Sequence, residues 1–190
     1  AYAVANLLMR KLKDKGIKAN SADLTAGVYR DVISTITVCC ATDGNHGRSV
    51  AWGAQNFGCN CEIYIHRHVS QAREEAIAKF GAKVNRIEGN YDDSVHLAAK
   101  VAEEKGYYVV SDTSYEGYVD IPKDVMQGYT IMVDETIRQM EDTPTHVFLQ
   151  GGVGGFPAAT VSFLVESLDS PPIFVVVEPA NADCLFQSAV

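Results

Sequence analysis

Apolar positions along this chain follow two rhythms that take turns. Short runs rich in β-branched and aromatic residues predict strands over 32–40, 61–65, 83–87, 107–110, 145–150 and 173–177. Between them apolar residues return at three- and four-residue spacing, which predicts helices over 1–12, 48–57, 73–80, 91–105, 124–140 and 157–168. Residues 19–30 have no clear period beyond a short helix opened by Ser21. Gly58, Gly81 and Gly106 stand where three helices should stop, Ser70 where one should start, and Pro122 and Pro157 at the start of two others. The helix over 1–12 has no capping residue before it, so the element, and the protein, are expected to begin upstream of residue 1. Strands alternating with helices of this length predict an α/β fold with a mainly parallel sheet flanked by helices.

Composition narrows the partners. The 190 residues are 47% apolar and 21% charged, with a formal net charge of −8. This is globular composition with enough chain for a substantial core, as one domain or two small lobes. An acidic balance argues against nucleic acid or an anionic membrane as partner and favours a small molecule. The longest apolar runs, such as 173–177, are strand-sized, and the first residues show no signal pattern, so a cytoplasmic location is expected. Five cysteines, at 39, 40, 59, 61 and 184, include no pair with zinc spacing, so no metal site is expected and the thiols read as reduced.

Ligand sites in open α/β sheets lie beyond the carboxyl ends of strands, and three segments of unusual composition fall there. The turn Thr42-Asp43-Gly44-Asn45-His46-Gly47 links a strand to a helix, with glycines that allow close ligand approach. Asp43 or Asn45 can cap that helix and leave its first N–H groups facing an anion, although an ordinary capped turn has the same pattern. Ser111-Asp112-Thr113 follows a second strand. Gly151-Gly152-Val153-Gly154-Gly155 follows a third and can aim successive backbone N–H groups at a phosphate. If the strands are parallel neighbours, the three segments can line one cleft. The glycine loop matches the dinucleotide fingerprint poorly, because Pro157 stands where Gly or Ala is wanted, and no Gly-Lys-Ser/Thr follows as in a nucleotide P-loop.

Taken together, Ala41 to Arg48, Asn90-Tyr91-Asp92-Asp93, Asp112-Thr113 with Glu116-Gly117-Tyr118, Ile121-Pro122, Met126-Gln127-Gly128-Tyr129, Thr143-Pro144-Thr145-His146-Val147, and Val177-Glu178-Pro179 with Ala182-Asp183-Cys184 resemble the fold-type II pyridoxal-phosphate enzymes. The likeness runs from residue 1 to about 188 and is close to members that cleave 2,3-diaminopropionate. It implies a small α/β domain over 14–142, with 1–13 and 143–190 belonging to an incomplete large cofactor-binding domain. It also implies pyridoxal 5'-phosphate as cofactor, an amino-acid substrate, a homodimer, and an α,β-elimination giving pyruvate and ammonia. Asn45 would hydrogen-bond the cofactor's phenolate oxygen, and Gly151, Gly152, Val153 and Gly154 would hold its phosphate. Thr42, Gly44, His46 and Gly47 would meet the substrate, whose carboxylate the N–H groups of residues 44–47 would hold. Asp43 and Asp112 are the catalytic candidates, and Asp43 also suits a substrate whose side chain carries an ammonium. His46 reads as structural rather than as the base, and His66, His68, His96 and His146 receive no role.

The family's Schiff-base lysine is expected a few residues before Ala1, and the partner of the pyridine nitrogen in a C-terminal part, so the chain as given is expected to be inert. The sequence departs from its relatives at Gly155-Phe156-Pro157, where they tend to have smaller residues. Two rivals remain at this stage, another fold-type II lyase such as a serine or threonine dehydratase and a non-catalytic ligand-binding fragment. Asp43 counts against the first.

Overall fold

A computed structural model describes all 190 residues. In chain order the elements are α1 (Tyr2–Asp14), α2 (Ser21–Thr25), α3 (Arg30–Ile33), β1 (Thr37–Ala41), α4 (Asn45–Phe57), β2 (Asn60–His66), α5 (Gln71–Ala78), β3 (Lys83–Ile87), α6 (Tyr91–Lys105), β4 (Tyr108–Val109), α7 (Asp120–Gln139), β5 (His146–Gln150), α8 (Gly155–Ser167), β6 (Ile173–Val177) and α9 (Cys184–Ala189). Every strand pair is parallel: β3-β2-β1-β4 form one sheet, and β5 and β6 form another. The expected parallel α/β class is therefore what the chain adopts.

The chain divides into two compact units, residues 1–111 and 112–190. In the first, β1 lies at the centre, and Val38, Cys39 and Cys40 are fully buried. Successive side chains of a strand face opposite ways. Tyr64 of β2 and Cys39 of β1 accordingly pack with Ala98 and Ala102 of α6, while Ile63 faces the start of α4 at Gly47. Burial pushes the Cys39 and Cys59 thiols up to about 12, so they behave as small apolar side chains. Helix α1 packs on α4, where Gly53 lets the backbone of Ala1 approach. In the second unit α7 packs along α8, and α8 along β5. The contacts place α1 against α4, and within this chain the boundary between the two units falls at 111/112.

Local chemistry explains where elements begin. The strand expected over 32–40 starts only at Thr37, because the preceding residues close a helical turn. Ile33 N–H donates to Tyr29 O and Ser34 N–H to Arg30 O, and the Thr35 hydroxyl donates to Val32 O. Local hydrogen bonding there overrides the β propensity of Val32 and Ile33. Asn20 and Asn90 each form a capping box, with Asp23 and Asp93, at the starts of α2 and α6. Pro122 lies inside the first turn of α7, so that helix opens at Asp120 instead of at residue 124.

Candidate active site

The turn after β1 is built by Thr42, not by the residues expected to cap it. The buried Thr42 hydroxyl accepts from the N–H groups of Gly44 and Gly47, each at 3.0 Å. Gly44 is the N-cap of α4 at φ +149° and has no side chain to offer, so the Thr42 hydroxyl, from outside the helix, takes the Gly47 amide instead. Asp43 and Asn45 therefore do not cap α4, a correction to the sequence reading. Gly47 is required by proximity, since a Cβ there would lie 2.3 Å from Thr42 Cγ2 and 3.2 Å from Ile63 Cγ2. Two of the four amides of residues 44–47 are thus committed to holding the turn. The first turn of α4 carries no acidic residue, so its positive end is not neutralised by the helix itself.

Asp43 is left with an exposed side chain whose Oδ1 lies 2.7 Å from His66 Nε2. Its carbonyl oxygen accepts from Arg73 Nη1 at 3.3 Å, and the Arg73 stem lies over Gly44. Asn45 is exposed at the start of the helix. His46 Nε2 lies 2.6 Å from the Val110 carbonyl oxygen, which ties α4 to the end of β4. The ends of β1 and β4 are therefore brought side by side within the first unit.

In the second unit the glycine loop leaves β5 and enters α8. Gly151 N–H donates to Val177 O at 2.8 Å, joining the loop to the end of β6. Gly151 is fixed by packing, because a Cβ would lie 2.5 Å from Glu178 Cγ. Gly154, the N-cap of α8, has φ +87°, and a Cβ there would meet Leu185 at 2.9 Å. At Gly152 a Cβ would meet nothing within 4 Å, so the loop offers open backbone at that point. Helix α8 has no side-chain cap and no acid in its first turn. A glycine cradle in front of an uncapped helix start is chemistry suited to a phosphate monoester, and the loop fits that group.

Asp112 lies beside the same helix start, its carbonyl oxygen 3.7 Å from the position of a Cβ on Gly155. Burial, and then the charge of Asp112, push the Tyr129 hydroxyl above its ordinary value. Tyr129 also takes the Phe156 ring edge-on, with centroids 5.3 Å apart. The large residue at 156 is thus accommodated against α7.

Two contributors had no sequence signal strong enough to find them. His66 is twenty-three positions from Asp43, and only the pairing of β1 with β2 unites them. Glu178 accepts from the N–H groups of Leu185 and Phe186, holding α9 beneath the loop, and Cys184 Sγ donates to Gly152 O at 2.9 Å. The Val177-Glu178-Pro179 motif pointed to the region without showing this role. No group of three or more His, Cys, Asp or Glu side chains is arranged to hold a metal ion.

A Thr-Asp-Gly-Asn-His-Gly turn at one helix start and a glycine cradle suited to phosphate at another, each at the carboxyl end of a parallel strand, are features that suit a pyridoxal-phosphate enzyme. The chain belongs to the family of pyridoxal-phosphate dependent enzymes, whose model matches residues 10–189. It is similar to the diaminopropionate ammonia-lyase of Escherichia coli (strain K12), 40% identical over 195 residues that cover 100% of this chain and 48% of the relative. It is likewise similar to the crystal structure of the selenomethionine-incorporated holo enzyme from Escherichia coli, with a TM-score of 0.86 at 39% identity, covering 98% of this chain and 48% of that one. The Escherichia coli enzyme in complex with an aminoacrylate-PLP azomethine reaction intermediate matches with a TM-score of 0.84 at 38% identity, covering 98% and 47%. The chain spans about half the length of the curated relatives it matches.

Proposed function

We propose that these residues form the substrate-facing half of a diaminopropionate ammonia-lyase, which in its full length eliminates ammonia from 2,3-diaminopropionate and yields pyruvate. The observation that carries this reading is the release of Asp43 from capping. Thr42 performs that task, so a carboxylate stands exposed at the mouth of α4. A substrate with an ammonium on Cβ gains from a carboxylate there, whereas a serine or threonine hydroxyl does not. The 40% identity with a diaminopropionate ammonia-lyase over the whole chain supports the same choice over a dehydratase.

Pyridoxal phosphate, when bound, supplies an electron sink for the carbanion formed at the substrate Cα. Gly151, Gly152, Val153 and Gly154 would hold its phosphate, and Asn45 would donate to its phenolate oxygen. Thr42, Gly44, His46 and Gly47 would meet the substrate, with its carboxylate at the positive end of α4. There the Gly44 and Gly47 amides are taken by Thr42, and those of residues 45 and 46 would face it. Asp43 would accept the Cα proton from one face of the substrate. The Cβ–N bond would then break with its electron pair leaving on nitrogen, and water would complete the conversion to pyruvate and a second ammonia. Asp112, beside Tyr129, would add negative charge near the leaving amine. The cofactor-bearing lysine of the full-length protein would serve the opposite face. In the full-length protein residues 14–142 would form a small domain, and 1–13 and 143–190 part of a large one, within a cytoplasmic homodimer.

The test is an absorbance scan of the full-length protein with pyridoxal phosphate, before and after 2,3-diaminopropionate, with pyruvate assayed in parallel. Spectral change with pyruvate release is expected, while release from serine or threonine at an equal or higher rate would favour the dehydratase reading. None of the lysines in this chain lies in either loop. The 190 residues alone are therefore expected to form no borohydride-fixed adduct at a single site, and stoichiometric labelling of one of these lysines with turnover would overturn the assignment.

A further inference from the structure

We infer that His66 is the positioning residue for the Asp43 carboxylate, holding one oxygen so that the other is presented to substrate. The inference rests on the reading of Asp43 as a base and goes beyond it.

The pairing follows from sheet register. Ala41, the last residue of β1, is opposite Tyr64 of β2, and Thr42 N–H still donates to Tyr64 O at 3.1 Å. Two residues further on, Asp43 and His66 emerge side by side at the carboxyl ends of neighbouring parallel strands. Oδ1 of Asp43 and Nε2 of His66 are 2.7 Å apart. The histidine side chain is 15% exposed and the aspartate side chain 66%. One partner is therefore fixed by its surroundings, and the other depends on that contact for its orientation.

The backbone selects the tautomer. Nδ1 of His66 accepts from the His68 N–H at 3.3 Å, and an accepting ring nitrogen carries no proton. The proton of a neutral His66 is then on Nε2, the atom facing Asp43. His66 donates to the carboxylate without needing a charge of its own. A neutral donor orients a base while reducing its basicity less than a cation at the same distance, which suits a carboxylate that must take a carbon-bound proton.

The turn bearing His66 is itself held in place. Arg86 Nη1 donates to the carbonyl oxygens of His66, Arg67 and Val69, the last at 2.7 Å. Its Nη2 and Nε pair with Glu74 of α5. Arg73 from the same helix holds the Asp43 carbonyl. Both ends of the Asp43–His66 contact are thus anchored by side chains outside the substrate site, the arrangement expected of a positioned catalytic group.

The test uses the full-length enzyme with separate rates for the two stereoisomers of 2,3-diaminopropionate, on His66→Ala, His66→Gln, Asp43→Asn and the double variant Asp43→Asn/His66→Ala. Losing a group that orients a functional residue costs about 10–100-fold. His66→Ala should therefore lower kcat about 10–100-fold for the isomer that depends on Asp43, with little change in KM, and leave the other isomer near wild type. His66→Gln, whose amide nitrogen reaches close to the position of Nε2, should recover much of the loss. The double variant should be no worse than Asp43→Asn, because His66 acts through Asp43. Equal loss for both isomers, no loss, or additive losses would overturn the proposal. Nitrogen NMR of the histidine-labelled enzyme gives a readout independent of turnover. In its neutral form His66 should appear as the Nε2–H tautomer in wild type, and the Nδ1–H tautomer would overturn it. If Asp43→Asn itself shows no isomer preference while the tautomer is as stated, the reading of Asp43 as a base has failed and the catalytic meaning of the pair falls with it.

Discussion

Replacing Asp43 by asparagine keeps the shape of the side chain and removes its charge. Because Thr42 accepts from the Gly44 and Gly47 amides, the substitution takes no hydrogen bond from the start of α4. Folding should therefore be unaffected, where losing a true cap would cost about 1 kcal/mol. Losing a positioned general base costs about 10²–10⁴-fold in rate. Asp43→Asn in the full-length enzyme is expected to lose activity toward one stereoisomer of diaminopropionate by that order, and much less toward the other. Steady-state rates with each pure isomer check it. Equal, large losses would make Asp43 a general substrate or cofactor contact, and equal, small losses would leave it without a catalytic part.

At the scale of elements, the glycine loop offers a cleaner test than its composition suggests. Gly151 and Gly154 are restrained by Glu178 and Leu185, so a side chain at either disturbs packing as well as any ligand. Gly152 faces open space, and Gly152→Val should leave the fold intact while weakening cofactor affinity, measured by titrating the full-length apoenzyme with pyridoxal phosphate. Unchanged affinity would move the phosphate elsewhere. On β2, burial acts to raise the Glu62 carboxyl, but hydrogen bonds from Tyr64 and Lys83 and the charges of Lys83 and Lys105 outweigh it, so it lies below its ordinary value. A lowered carboxyl stabilises the fold above its unfolded value and ceases to do so as pH falls through the folded one. Urea denaturation of the full-length protein at about pH 7 and about pH 4 should therefore show a smaller loss for Glu62→Gln than for wild type. An identical loss would mean that Glu62 makes no such contribution. Most elements were legible because their periods and stops are local: Lys83 to Ile87, Tyr91 to Lys105 and Ile173 to Val177 run as expected. What was not legible depends on partners distant in sequence or on competing local bonds. The Thr42 hydroxyl caps a helix from outside it, hydroxyl and backbone bonds in 29–36 displace a strand start, and β-sheet register alone joins Asp43 to His66.

At the scale of the whole molecule, the two units differ in how well their sheets are covered. In residues 1–111 four parallel strands lie between α4 and α6, and the central strand has three successive residues without exposed surface. In residues 112–190 the sheet has two parallel strands, packed by α8 along β5 and with Phe148 68%, Ile173 60% and Val177 53% exposed. Parallel strands are normally covered on both faces, and a two-stranded sheet has little stability of its own. Backbone amides should open most readily where few apolar contacts would be broken. Hydrogen exchange on this chain should therefore show early exchange over 146–150 and 173–177, and slow exchange over 38–40 and 61–65. A dye that binds exposed apolar surface should bind the chain and be released when the second unit is covered. In the full-length protein, about twice as long in the relatives this chain matches, the same two strands are expected to gain protection while β1 and β2 change little. Equal protection of both sheets in the isolated chain would show that α7 and α8 stabilise the β5–β6 pair without further cover. Protection of neither sheet would show that the first unit, despite its buried core, also needs the rest of the enzyme to fold.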